Sequence, residues 1–217
     1  MDLSRNAPMS TNPYKSPFII LEDAVSPMQC EELLDNTDFV TMDVDKHGKP
    51  AMTIRMSDEA SAIVHPILQH IGAQIEEKYG SPIHSLEQSR IQWMDDSVVP
   101  SPVCDNSFRS HDKWLRVHDR DLTATLFLVD FNDKPPFDGE FEVYGGKLEF
   151  PSHQFGFNPV RGTVVIHPSD PHFTHIFSPV RAGDLFVVKT FITLKTPLLY
   201  SPKNFPGSYQ HWLAPHF

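Results

Sequence analysis

The sequence feature that most constrains the fold is a change of hydrophobic period near residue 90. From Arg90 onward, short segments rich in β-branched and aromatic residues alternate with Asn, Asp, Pro and Gly, and no helical period separates them. Strands that follow one another without helices favour an antiparallel sandwich, barrel or jelly roll. The predicted strands are RIQWM, DLTATLFLVD, EFEVY, KLEF, GTVVIHP, FTHIFSPV and DLFVVKTFI.

The first third of the chain has helical features. After a predicted strand at FIIL, Ser26 can cap a helix whose first turn holds Pro27 and whose capping box is completed by Gln29. A second helical segment runs over residues 57–79, with Pro66 expected to kink or split it and Gly80 at its C-terminal end. A row of residues spaced by four predicts the face that packs on the sheet: Ile63, Ile67, Ile71 and Ile75.

Composition narrows the class of protein. With 217 residues, a single domain spanning 1–217 is expected. The formal net charge of −10 opposes non-specific attraction to nucleic acid or to an anionic membrane. Cys30 and Cys104 do not form a disulfide framework. Neither a signal peptide nor an apolar run of about 20 residues is found. A cytoplasmic protein is therefore expected.

Two residues raise the question of a site. Asp105 lies in PSPVCDNSF, directly ahead of the strand-rich half, where it is either a turn residue or part of a metal site. His175 lies within the predicted strand FTHIFSPV. Taken alone, a histidine there indicates either a core residue or a ligand, so position relative to the strands has to decide.

An ordered series of short motifs between residues 88 and 195 resembles the 2-oxoglutarate and iron(II) dependent oxygenases, in particular the prolyl 4-hydroxylase-like branch. That branch shows an aromatic strand end, His-x-Asp, Arg-x-Leu-Thr, Gly-Gly-x-Leu, Gly-hydrophobic-Phe-Pro-Ser and His-x-x-x-Pro-Val-x-x-Gly. The corresponding pieces here, in chain order, are Trp93; Val103-Cys104-Asp105; Arg120-Asp121-Leu122-Thr123; Gly145-Gly146-Lys147-Leu148; Gly162 to Ser169; and His175 with Pro179, Val180 and Gly183.

The resemblance implies a fold and a ligand set. The fold would be mainly β, a double-stranded β-helix of the jelly-roll, cupin-like type over 88–195. Residues 1–87 would form a helical buttress with an edge strand, and 196–217 a wrapping tail. Asp105 and His175 would be catalytic metal ligands of a facial triad that leaves positions open for 2-oxoglutarate and dioxygen. Fe(II), 2-oxoglutarate and ascorbate would be the cofactors, with Thr123 and Trp93 among the cofactor-binding residues.

The chain departs from the pattern at two positions. Val103 stands where the first histidine is expected, and an isopropyl group cannot ligate a metal. Leu185 stands where the family places the Arg or Lys that holds 2-oxoglutarate. Lys189 would face the same side of a regular strand roughly 13 Å further on; it is expected either to hold the cosubstrate or to be a solvated lysine. His111, close to Asp105 in sequence, is the preferred candidate for a third metal ligand, and His118 is the other candidate. The alternative is a site without metal, in which Asp105 and His175 form an ion pair or a charge-assisted hydrogen bond.

Three functional hypotheses follow. The chain is either an oxygenase that hydroxylates an aliphatic carbon of a protein side chain or small molecule, or a degenerate oxygenase fold kept as a binding or assembly module. The third hypothesis is a structural jelly-roll protein that shares only the architecture. Peptides and small molecules are the expected partners, and the oligomeric state stays open. The acidic segment NDKPPFDGEFEVYGGK is either a substrate-facing lid or a solvated hairpin connection in which Gly145 and Gly146 make the turn.

Overall fold

The computed structural model describes residues 16–37, 53–111, 113–134 and 141–198. The helices are α1 (Pro27–Asp35), α2 (Asp58–His70) and α3 (Gly72–Tyr79). The strands are β1 (Ile19–Leu21), β2 (Thr53–Met56), β3 (Ile83–Leu86), β4 (Arg90–Met94), β5 (Ser107–Ser110), β6 (Lys113–Arg116), β7 (Leu122–Phe127), β8 (Asp130–Phe131), β9 (Glu142–Tyr144), β10 (Leu148–Phe150), β11 (Phe155–Phe157), β12 (Val164–Pro168), β13 (Ile176–Phe177), β14 (Ala182–Gly183) and β15 (Leu185–Leu194).

The strands form one large antiparallel sheet faced by smaller ones. The large sheet has the order β1-β12-β7-β15-β4-β2, and β3 also pairs with β15. Two three-stranded sheets, β11-β10-β13 and β14-β9-β8, and the β5–β6 hairpin complete the strand pairing of the described residues. Except for the parallel pair β8–β9, the pairings are antiparallel, as expected for strands joined without crossover helices.

Both faces of the large sheet are covered, so β7 and β12 are buried throughout and β15 is buried along most of its length. Along β7, Leu122, Ala124 and Leu126 join the apolar cluster formed with the helices. Because side chains alternate along a strand, Thr123 and Thr125 point to the other, inner face. The inner face carries a second apolar cluster that includes Phe127, Phe150, Val165 and Val187.

The N-terminal helices begin and end largely where the sequence predicted. The Ser26 side chain accepts a hydrogen bond from the Gln29 backbone in a reciprocal capping box, and Gly80 ends α3 in the left-handed conformation at φ 78°. The break between α2 and α3 falls at Ile71, however, and Pro66 lies inside α2. Ala60, Val64 and Leu68 are buried against the sheet on both sides of the proline, and this packing outweighs the hydrogen bond that the proline removes.

The predicted isoleucine row lies at the border of the buried face. Ile75 is fully buried, whereas Ile63, Ile67 and Ile71 are partly buried and pack against the helix-side cluster. The centre of the buried stripe on α2 lies one position further along, because Ala60, Val64 and Leu68 face the sheet.

The first 87 residues contribute three strands to the large sheet and not the single edge strand that was expected. β1 and β2 form the two edges of the large sheet, and β3 pairs with β15. Most of the predicted C-terminal tail, residues 199–217, lies outside the described residues, as do residues 135–140 of the acidic segment. Gly145 and Gly146 both have positive φ and connect β9 to β10, which belong to different sheets, so they do not close a hairpin between paired strands.

Among the described residues, no helix combines the length and apolar character needed to span a membrane.

Candidate functional site

A backbone bridge brings Asp105 and His175 together. The Val103 N–H donates to the His175 carbonyl at 2.8 Å, and the His175 N–H donates to the Val103 carbonyl at 3.0 Å. Asp105 follows two residues later, and its Oδ2 lies 3.6 Å from His175 Nε2. Both side chains are buried. The structure thus brings together, on the buried inner face of the sheet, the two residues that the sequence pattern indicated as ligands; this buried cluster is called the pocket below.

A second histidine lies in the same pocket. His167 of β12 is fully buried, and its ring centre is 4.9 Å from that of His175. One potential ligand atom from each of Asp105, His167 and His175 lies within 4.8 Å of the others. The sequence pattern does not single out His167, because a single histidine in an apolar strand is typical of a core residue. The available signal was its alternation with Val165, which places both on the inner face.

Lys189 of β15 contacts two members of this group. Its Nζ lies 3.2 Å from Asp105 Oδ1, 3.5 Å from Asp105 Oδ2 and 3.0 Å from His175 Nε2. The side chain is only 4% exposed, so it is not the solvated lysine that one interpretation of the sequence favoured. A buried ammonium of this kind requires a paired carboxylate, and Asp105 provides it.

Hydroxyl groups and an arginine hold Asp105 in place. Thr123 Oγ1 donates to Asp105 Oδ2 at 2.9 Å and contacts Ser169 Oγ at 2.8 Å. Arg120 donates to the Asp105 carbonyl at 3.2 Å while forming two hydrogen bonds with the Glu87 carboxylate, at 2.6 and 2.7 Å. The carboxylate is therefore held from both its side chain and its backbone.

Both imidazoles have the same tautomer. His175 Nδ1 lies 3.2 Å from the Phe173 carbonyl, and His167 Nδ1 lies 2.7 Å from the Pro168 carbonyl. A carbonyl only accepts, so each Nδ1 carries the proton and each Nε2 is left as an acceptor. Burial, and then the nearby Lys189 charge, lower the pKa of His175 to about 4. Burial and the neighbouring His175 hold the pKa of His167 well below its usual value. Both rings are neutral at pH 7.

Asp105 is ionised in spite of its burial. Burial is the largest single effect and raises the pKa of this carboxyl. The Lys189 ammonium, the neighbouring His175 and His167 and the Thr123 hydrogen bond together outweigh it, so the pKa ends below its usual range. Because the two imidazoles are neutral at pH 7, Lys189 is the charge that stabilises the carboxylate there. The pocket holds one negative and one positive group.

The types of donor atom in the cluster suit a transition metal, but the positive charge of Lys189 beside them does not. Two histidines and one carboxylate are the composition of a facial triad, and His167 Nε2 is a buried acceptor without a hydrogen-bond partner among the described residues. The Lys189 ammonium, however, already contacts two of the three donors. A divalent ion about 4 Å from an ammonium would be repelled by roughly 8 kcal/mol at an effective dielectric constant near 20. The site does not fit a metal while the ammonium stays.

The other residues named from the sequence lie elsewhere. His111 is exposed at the turn of the β5–β6 hairpin, with Nδ1 3.3 Å from Ser110 Oγ, and it is not part of the cluster. The hairpin carries it away from Asp105, so the expectation that it completes the ligand set does not match the geometry. Trp93 donates to Asp184 at 2.7 Å and stacks on Phe186. Leu185 is fully buried, and a Cβ on Gly146 would lie 2.9 Å from its Cδ2.

Comparison with known proteins identifies the fold. No protein-family model and no curated sequence matches the chain. Among solved structures, it is similar to a viral collagen prolyl hydroxylase from Paramecium bursaria Chlorella virus-1 in a 2OG complex, with 17% identity, 81% of this chain and 94% of that chain covered, and a TM-score of 0.55. It is also similar to a Pseudomonas putida prolyl-4-hydroxylase, with 15% identity and a TM-score of 0.57. That match covers 83% of this chain and 94% of the other.

A third neighbour is a prolyl hydroxylase from Trichoplax adhaerens in complex with a peptide fragment of the hypoxia inducible factor oxygen degradation domain. It shares 12% identity, covers 82% of this chain and 83% of its own, and has a TM-score of 0.53. At these identities the likeness establishes the fold and not the activity. The predicted fold class is confirmed: the chain is mainly β and has the jelly-roll fold of the 2-oxoglutarate-dependent prolyl hydroxylases.

Proposed function

We propose that this chain is an oxygenase-fold protein in which the Lys189 ammonium takes the place of the catalytic metal, and that it acts by binding a peptide or small molecule without hydroxylating it. The observation that carries the proposal is the buried contact of Lys189 Nζ with Asp105 and His175. An enzyme of this class needs a metal with open positions. Here the cation is part of the chain and offers no such position.

Two further residues support the same conclusion. Val103, at the position where the resemblance places the first histidine, is bridged to His175 through its backbone and has a side chain without a donor atom. Leu185, at the position of the cosubstrate-binding cation, is buried in the inner apolar cluster. The two positions at which the resemblance places a metal-binding histidine and a cosubstrate-binding cation thus carry apolar side chains.

The proposed ligand surface lies next to the pocket. The β5–β6 hairpin begins two residues after Asp105, and its cross-strand pair Phe108 and Leu115 is 49% and 45% exposed. Directly paired residues project from the same face of a hairpin, and nearby Val117 is also exposed. Exposed apolar side chains grouped in this way indicate a binding surface. We propose that an extended peptide with apolar side chains covers it, as a peptide is bound by the Trichoplax neighbour.

The absence of oxygenase chemistry is directly testable. After anaerobic reconstitution with Fe(II) and 2-oxoglutarate, we expect substoichiometric iron and no succinate above the protein-free background, because Lys189 opposes the metal. Elemental analysis and succinate quantification give the two readouts. The Pseudomonas putida prolyl-4-hydroxylase, treated identically, is the positive control. Stoichiometric iron together with succinate that depends on 2-oxoglutarate would overturn the proposal.

The proposed peptide surface predicts a selective effect of mutation. Peptides that bind the wild-type chain in an array would be titrated by fluorescence anisotropy. We expect Phe108→Ser to weaken binding by about tenfold or more, the size typical of an aromatic anchor. Val160→Ser is the matched control, because Val160 is similarly exposed at 45% but belongs to the connection between β11 and β12. An equal loss of peptide affinity in both variants would contradict the assignment. So would the absence of any peptide that binds the wild-type chain.

A second candidate function rests on His167 Nε2, which has no hydrogen-bond partner in the described part of the chain. In that case Asp105, His167 and His175 would hold Fe(II), and Lys189 would leave the cluster to hold 2-oxoglutarate, with ascorbate as the reductant. The protein would then hydroxylate an aliphatic carbon of a peptide or small molecule. This candidate predicts the opposite outcome in the reconstitution experiment.

A further inference from the structure

We infer that Asp105, His167 and His175 form a latent divalent-metal site, and that the Lys189 ammonium alone keeps it closed. The inference rests on the proposed function, in which Lys189 replaces the metal, and adds to it the identity of the ligands and the means of opening the site. It differs from the family pattern, because His167 of β12 supplies an imidazole where Val103 cannot.

The two histidines are already oriented as metal ligands. In metal sites, the nitrogen that does not bind the ion donates to a carbonyl or carboxylate, which fixes the ring and its tautomer. His175 and His167 both show this arrangement, through the carbonyls of Phe173 and Pro168. The Phe150 ring packs 4.6 Å from the His167 ring and 5.4 Å from the His175 ring. Neither imidazole has to turn far to bind an ion.

The carboxylate is prepared in the same way. Thr123 donates to Asp105 Oδ2, whereas Lys189 Nζ lies closer to Oδ1, at 3.2 Å, than to Oδ2, at 3.5 Å. Removing the ammonium would therefore free one carboxylate oxygen while the other stays anchored. His175 Nε2, the second acceptor of the Lys189 ammonium, would be freed by the same change. Together with His167 Nε2, these atoms make a set of three donors.

The chemistry of the pocket explains why an ion would then bind. Without Lys189, the Asp105 carboxylate is a buried charge with no compensating cation, and a divalent ion supplies that compensation. Methionine retains most of the lysine stem without the charge, so Lys189→Met removes the cation with the smallest change of volume. Lys189→Arg keeps the positive charge and is the matched control.

Co(II) is the probe for the test, since its visible spectrum reports ligand geometry and no oxygenase activity is needed. We expect Lys189→Met to bind Co(II) at least about 100-fold more tightly than the wild-type chain by calorimetric titration. Co(II) should also raise the melting temperature of this variant and leave that of wild type and Lys189→Arg unchanged, because binding to the folded state alone stabilises it.

The role of His167 is tested in the same background. Lys189→Met combined with His167→Phe should lose at least about tenfold in Co(II) affinity, the scale of a lost ligand or its support. Undiminished affinity would overturn the assignment of His167. If Lys189→Met does not fold without metal, it is refolded in the presence of Co(II), and recovery of the folded state supports the site. If Co(II) does not restore folding, Lys189→Gln is titrated with Co(II) instead. Failure of Lys189→Gln to bind Co(II) overturns the site.

The outcomes separate the two proposals. Tight Co(II) binding by the wild-type chain would refute the proposed function, since Lys189 would not exclude a metal. A wild-type chain that binds no Co(II), together with a folded Lys189→Met variant that also binds none, would refute the latent site and leave the proposed function intact.

Discussion

Lys189→Ala should lower the free energy of unfolding at pH 7 by about 3–5 kcal/mol, the cost of leaving one member of a buried ion pair without its partner. Asp105 is 7% exposed, and the two histidines beside it are neutral at pH 7, so no other charge takes over from the ammonium. Urea denaturation measures the change through the midpoint and its slope.

Two variants control for this result. Lys147→Ala removes a lysine whose salt bridge with Glu149 is 3.8 Å long and about 40% exposed on both sides, and such a surface pair contributes about 1 kcal/mol or less. Combining Lys189→Met with Asp105→Asn removes both charges and should recover much of the loss, because neutral groups of similar volume replace a buried pair at little cost. If Lys189→Ala costs no more than Lys147→Ala, the buried ion pair is not a main source of stability.

The pH dependence of Lys189→Ala provides an independent signature. In the wild type, the depressed pKa of Asp105 contributes stability that is present above the unfolded value of 3.8 and is lost as the pH falls. In the variant, burial remains and raises that pKa, so ionisation destabilises the folded state as the pH rises. The difference in stability between wild type and variant should therefore widen from pH 5 to pH 8. A constant difference would contradict this account of the pair.

The wild-type chain should lose stability as the pH falls from 6.5 to 4, because its buried histidines stay neutral. The pKa of His175 is about 4 in the folded state and 6.5 in the unfolded state. A depressed histidine pKa contributes stability that is fully present above 6.5 and is lost as the pH falls towards 4, since only the unfolded chain takes up the proton. For His175 alone the loss is about 3 kcal/mol, and His167 and His153 act in the same direction.

Unfolding free energies at several pH values between 7.5 and 4 would test this expectation. His167→Phe removes one buried imidazole and places a ring of the kind that the family pattern shows at this position, so its stability should fall less steeply with acid. His118→Gln, which changes an exposed histidine, should keep the wild-type slope. A wild-type stability that does not change between pH 6.5 and 4 would show that these histidines are not held neutral by the fold.

The fold could be predicted from local patterns because each pattern has a local cause. Alternation along Leu122–Phe127 and Leu185–Leu194 specifies strands whose two faces differ, and the capping residues specify where α1 begins. The position of the break between α2 and α3 was not predictable in this way. Proline propensity favours a break at Pro66, but the packing of Val64 and Leu68 on the sheet decides the matter.

The site was only partly predictable because it is formed by distant segments. The convergence of Asp105 and His175 followed from the order of motifs, which carries information on topology. The third histidine was missed, since alternation with Val165 places His167 on the inner face, but only the pairing of β12 with β7 sets it beside Thr123. His111 was chosen by closeness in sequence, which the β5–β6 hairpin overrides.

Lys189 shows the same limit most clearly. Alternation placed it correctly on the face of Leu185, but the distance along a flat strand suggested that it lies far from the pocket. Its ammonium reaches Asp105 and His175 because the segments that carry these two residues, joined by the bridge between Val103 and His175, pass close to the end of its side chain. Which residue of a strand lies beneath a crossing segment depends on the three-dimensional arrangement and not on the strand's own sequence.

The central claim is that a lysine ammonium occupies the position of the metal, and a crystal structure grown anaerobically with Mn(II) and 2-oxoglutarate tests it most directly. The account predicts no anomalous density for manganese between Asp105 and His175, with Lys189 Nζ within hydrogen-bonding distance of both. A manganese peak ligated by these two residues, with the Lys189 side chain displaced, would contradict it.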